Sequence, residues 1–88
     1  MSDLTEAFGE RLIVARFEFG RASQEVVAER AGIHRTQMSL LEGGDRLPNL
    51  ETVVRVAGGV GLSAGELLGP IRWEPGTPGR FILTEGEA

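Results

Sequence analysis

Cysteine is absent from the 88-residue sequence, which excludes a disulfide framework and any thiolate zinc centre. Histidine occurs once, as His34, too few for a metal site unless several carboxylates converge on it. Lysine is missing as well: all nine basic residues are arginine, which reads as G+C-rich coding more than as chemistry. No window approaches the roughly 20 apolar residues of a membrane span. The start, MSDLTEAFGERL, has neither the basic lead nor the long apolar core of a signal peptide. A cytoplasmic protein without membrane association is expected. No glycine-rich phosphate loop follows a strand, and no carboxylate pair flanks an evident cleft. Neither enzymatic activity nor a cofactor is therefore expected.

What is present is one small domain, long enough to bury about 60 to 65% of its unfolded surface. Its formal charge of −4 is awkward for a nucleic-acid partner, because non-specific affinity is mostly phosphate neutralisation. The charge is unevenly spread, however. Residues 1–20 hold two arginines against four acids, whereas 21–46 balance four arginines against four acids and add His34.

The pattern of apolar residues predicts five short helices. Asp3 caps the first, with Glu6 at its third position, and Phe8, Leu12, Ala15 and Phe19 form its inner face up to Gly20. Ser23 opens the second helix, and Gly32 stops it by supplying the left-handed turn that a residue without Cβ adopts freely. The third runs from about Arg35 to Glu42. Asn49 caps the fourth, with Leu50, Val53, Val54 and Ala57 directed inward, and Ser63 with Glu66 forms a capping box for the fifth, ended by Gly69-Pro70.

With about 100° of turn per residue, Met38 and Leu41 of the third helix point to one side, while Thr36, Ser39 and Leu40, with Arg35 at the edge, point to the other. Two short helices joined by a glycine turn, the second dry inside and polar outside, make a helix-turn-helix. The chain resembles the Cro and lambda-repressor-like helix-turn-helix (XRE) family. The resemblance rests on Gln24, Val27, Ala28, Gly32, Ile33, Met38, Leu41, Glu42, Gly44, Pro48 and Leu50-Glu51-Thr52, and it covers residues 8–69.

It implies an all-α, compact five-helix lambda-repressor-like domain over residues 1–69, bound to double-stranded DNA as a homodimer. By that analogy Arg35, Thr36 and Leu40 face base edges in the major groove with Ser39 beside them, and Gln24, His34, Gln37 and Arg46 hold phosphates. The family pairs an arginine of the first helix with the glutamate closing the third, which gives Arg16 and Glu42 a structural role. Two departures stand out. One residue more than usual separates Arg16 from Gln24, so a longer first loop is expected, with Arg21 as the addition. Gly43 and Asp45 take places that are often basic in the family, leaving Arg46 as the main cation of that loop.

Two features lie outside the motif. Ile13, Val14 and Phe17 sit opposite the inner face of the first helix, where polar residues belong. The tail, residues 70–88, alternates Ile71 and Trp73 with Arg72 and Glu74, then Phe81 and Leu83 with Arg80 and Ile82, a β-hairpin pattern around PGTPG. Trp73 and Phe81 are expected to shield the outer patch of the first helix, or the tails of two subunits to pair. The leading function is a transcriptional regulator on a pseudo-palindromic operator. The alternative is a protein-binding module, an antitoxin or adaptor engaging a protein partner through the first helix and the tail.

Overall fold

The computed structural model describes residues 3–84, with Asp3 described by its backbone alone. The cap expected of the Asp3 side chain lies outside the described residues. Helix α1 spans Asp3–Ala15 and runs into a wide turn at Arg16–Gly20. Then follow α2 (Gln24–Ala31), α3 (Arg35–Glu42), α4 (Leu50–Gly59) and α5 (Ala64–Leu68), and an antiparallel pair of strands, β1 (Ile71–Glu74) and β2 (Arg80–Leu83). The five-helix fold and the terminal hairpin are those expected.

Local chemistry starts and stops these helices. The Ser23 hydroxyl accepts from Val26 N at 3.2 Å, and the Asn49 side chain accepts from Thr52 N at 2.8 Å. Ser63 and Glu66 complete a reciprocal capping box, Glu66 N donating to Ser63 Oγ at 3.1 Å and Ser63 N to Glu66 Oε1 at 2.9 Å. Each such cap satisfies backbone donors that the first turn leaves without partners. Gly32, with φ of 71°, ends α2 in the left-handed region and turns the chain toward α3.

The core is one cluster. Phe8 and Leu12 of α1, Val27 of α2, Met38 and Leu41 of α3, Val56 and Val60 around α4, and Leu67 of α5 are all fully buried, each contributing about 1.5–3 kcal/mol where its side chain leaves water. Helix α1 can lie this close to the end of α3 because position 9 has no side chain. A Cβ at Gly9 would stand 2.8 Å from the carbonyl oxygens of both Leu41 and Glu42. Arg11, also buried, crosses to the end of α5, donating from Nε to Leu67 O at 2.8 Å and from Nη2 to Glu66 O at 3.0 Å. Those carbonyls belong to the last helical turn, which has no partners for them within the helix.

Three expectations are corrected. The surplus residue between Arg16 and Gln24 does not lengthen a loop. Arg21 N donates to Arg16 O at 2.6 Å, closing a turn over five residues that holds one residue more than an α-turn, and Arg21 itself takes φ of 47°. That widening rotates Phe19 off the inner face, leaving it 51% exposed with the Arg11 guanidinium over its ring at 5.8 Å. In α4 the buried stripe is Val53, Val56 and Ala57, while Leu50 and Val54 face outward at 75% and 54% exposure. Positions 50, 53, 54, 57 and positions 53, 56, 57, 60 are both helical stripes made only of apolar residues, and packing against α2 selects the second.

In the hairpin Ile71 pairs with Leu83 and Trp73 with Phe81, so these four share one face. Trp73 and Phe81 meet edge-on with ring centroids 4.9 Å apart. Thr84 fastens the open end, donating from N at 2.8 Å and from Oγ1 at 2.9 Å to Pro70 O. A two-stranded hairpin is marginal alone. This one leans on α1 through β2 and adds Ile71 to the edge of the core. Trp73 and Phe81 line a groove with Leu4 and Phe8, toward the start of α1. Phe17 stays 65% exposed, so the shielding expected there is not found, and Ile13 and Val14 are half-buried.

Candidate nucleic-acid interface

Helix α3 begins without an acid in its own first turn, so none of its own side chains offsets its N-terminal dipole. Its cap is His34, whose Nδ1 accepts from Thr36 N at 3.1 Å. That bond requires Nδ1 to be the unprotonated nitrogen of the ring. Met38 and Leu41 are buried, whereas Arg35, Thr36 and Ser39 are exposed and Gln37 and Leu40 are half-buried. The two-sidedness read from the helical spacing is the one observed.

Between the N-terminal ends of α2 and α3 lies a cleft of about 430 Å³, lined by Arg16, Ser23, Gln24, Glu25, Arg35, Thr36 and Ser39. The floor is fixed by charge-assisted bonds. Arg16 donates to both oxygens of Glu42, at 2.6 Å and 3.0 Å, and from Nη1 to Ala22 O at 3.0 Å. Gln24 Nε2 also donates to Glu42 Oε1, at 3.0 Å. The glutamate side chain, 4% exposed, is thereby satisfied from the wide turn after α1 and from α2, and the start of α2 is tied to the end of α3.

Of the eight residues expected to face DNA, Gln24, Arg35, Thr36 and Ser39 come together in this cleft. Gln37 and Leu40 lie on the flanks of α3, His34 forms its cap, and Arg46 is exposed in the loop before α4. The amide of Gln24 is partly committed to Glu42, leaving Nε2 one further hydrogen. Sequence reasoning passed over Glu25, whose carboxylate Oε2 stands 3.9 Å from Arg35 Nη1. An acid in the first turn of a helix is favourable on dipole grounds alone, which hides any second role.

The Helix-turn-helix domain family matches residues 7–68. The chain belongs to that family. Control protein C.MunI of a Mycoplasma species is 32% identical over 74 residues, covering 84% of this chain and 100% of the relative. The crystal structure of the restriction-modification controller protein C.AhdI from Aeromonas hydrophila superposes with a TM-score of 0.66 at 30% identity, over 72% of this chain and 94% of that one. The family match ends at residue 68, so the hairpin from Ile71 onward lies beyond the helix-turn-helix segment. Among the described residues no helix is long and apolar enough to cross a membrane.

Proposed function

We propose that the protein is a sequence-specific, cytoplasmic DNA-binding transcriptional regulator that acts as a homodimer on a pseudo-palindromic operator. The observation that carries this reading is the cleft itself: a short-chained polar edge of α3, exposed and braced from below by the Arg16–Glu42 pair. Arg35 reads a guanine through O6 and N7, Thr36 and Ser39 contact neighbouring base edges, and Leu40 meets a thymine methyl. Gln24, His34, Gln37 and Arg46 hold phosphates and set the register. The likeness to C.AhdI, a restriction-modification controller protein, favours regulation of restriction-modification genes. Residues 1–69 form the DNA-binding unit in this reading, and the tail from residue 70 supports the dimer.

The dimer face is proposed on the far side of α4. Leu47, Leu50, Val54 and Trp73 are each more than half exposed, and Leu47 and Trp73 also edge the apolar groove over Leu4, Phe8 and Val53. Exposed aliphatic side chains beside an apolar groove on one surface suit a two-fold contact, in which each copy offers both to the other. Two α3 helices so paired would enter successive major grooves about 34 Å apart.

Measuring affinity for duplexes selected from random DNA tests the reading. Arg35→Ala is expected to weaken the selected duplex by about 1–3 kcal/mol. No preference among duplexes at low salt would refute it. A second reading, a protein-binding module such as an antitoxin or adaptor, is favoured by Phe17 and Phe19, exposed at 65% and 51% where α1 ends. Under that reading Arg35→Ala changes no affinity for DNA.

A further inference from the structure

The cleft contains a carboxylate where phosphates are to be approached. Glu25, in the first turn of α2, has 74% of its side chain exposed, and Arg35 across the turn has 67%. Their charged groups stand 3.9 Å apart, and the nearest other guanidinium in the cleft, that of Arg16, is bound to Glu42. On an open surface such a pair contributes little to stability. Its consequence lies at the interface.

We infer that Glu25 is a positioning residue for Arg35 and a determinant of sequence specificity, an inference that rests on the DNA-binding reading above. A free arginine side chain has many rotamers, and a guanidinium that settles on a phosphate gives affinity without selectivity. Glu25 draws the guanidinium back toward the α2 side of the cleft, so one orientation is favoured before the duplex arrives. When DNA expels water from the cleft, the attraction between the two charges strengthens several-fold as the effective dielectric falls. The bidentate contact to guanine needs that fixed plane. The same carboxylate repels phosphates on every sequence, so Glu25 trades general affinity for discrimination.

This gives the variant an unusual sign. A residue that merely supports the fold weakens all DNA binding when removed, whereas Glu25→Ala should tighten binding to random duplex while lowering discrimination. The experiment uses the full chain and fluorescence anisotropy on three duplexes: one selected from random DNA, the same with the Arg35-contacted G·C pair inverted, and one of random sequence. Wild type, Glu25→Ala, Arg35→Ala and the double variant form a cycle, and thermal unfolding checks that each is folded. Glu25→Ala should reduce the selected-to-inverted affinity ratio about three- to tenfold, within the coupling seen between contacting residues. In the Arg35→Ala background it should leave the ratio unchanged.

An unchanged ratio in Glu25→Ala, with wild type still discriminating, overturns the inference alone. An equal loss when Arg35 is already absent also overturns it, because Glu25 would then read a base itself. Wild type without preference for the selected duplex removes the DNA reading and this inference together, and that result is visible before any variant is made.

Discussion

Arg16 and Glu42 join the end of α1 to the end of α3 through two parallel bonds, with side chains only 13% and 4% exposed. The pair lies under the cleft, and Gln24 leans on it from α2. Removing one partner strands the other charge in a dry site, which costs about 3–5 kcal/mol. Glu42→Ala should therefore lower stability in urea unfolding by that amount. Arg16→Lys should lose most of the same benefit, since an ammonium cannot supply the planar fork. Unfolding midpoints within experimental error of wild type would contradict this account.

Gly9→Ala sets two effects against each other. Alanine gains about 1 kcal/mol of helix propensity, but its methyl group would meet two backbone carbonyl oxygens at 2.8 Å, and overpacking of this kind costs about 1–3 kcal/mol. Backbone cannot move aside as a side chain does, so the variant is expected to be net destabilised, with a lower thermal midpoint.

The α5 capping box gives stability an acid-side dependence. The backbone N–H of Ser63, and next its hydroxyl, hold the Glu66 carboxyl below its ordinary value of 4.5. A carboxyl depressed in the folded state contributes stability that is present above the unfolded value and lost as pH falls through the folded one. The midpoint advantage of wild type over Glu66→Gln should be largest at neutral pH and close on acidification below about pH 4.5. A gap that stays constant across the titration would count against it.

Leu50→Glu probes the proposed dimer face. The side chain is 75% exposed, so the monomer fold should tolerate the change within about 0.5 kcal/mol. Sedimentation equilibrium should show the variant monomeric at concentrations where wild type is dimeric. Wild-type sedimentation as a monomer throughout would remove the face from consideration.

Arg46→Ala should weaken binding to selected and random duplexes alike. One lost phosphate contact should reduce the slope of log affinity against log salt by about 0.9. A loss confined to the selected duplex would reassign Arg46 to base reading.

Much of this architecture is legible in the sequence because its signals are local. Ser23, Asn49 and the Ser63/Glu66 box lie within three residues of the groups they cap, and Gly32 marks its turn by lacking a Cβ. The core side of α3 follows from periodicity alone. What stayed hidden depends on distant partners or on degenerate patterns. Arg11 meets α5 across 56 positions, and nothing local separates it from a solvated arginine. Stripes 50-53-54-57 and 53-56-57-60 of α4 are equally apolar, so only the fold decides which is buried. Glu25 reaches Arg35 only after the Gly32 turn folds α3 back.

The widened coil at Arg16–Gly20 has a consequence for how such chains change length. An added residue in a connecting segment would ordinarily shift whatever follows it. Here the excess is wound into the rod before Ser23, and the side chain of Arg16 still reaches both Ala22 and Glu42. The gauge between the first rod and the reading head is thus set by the Arg16 side chain and not by the path of the ribbon between them, so a codon gained within that coil should be absorbed without realigning the part of the molecule that faces its target.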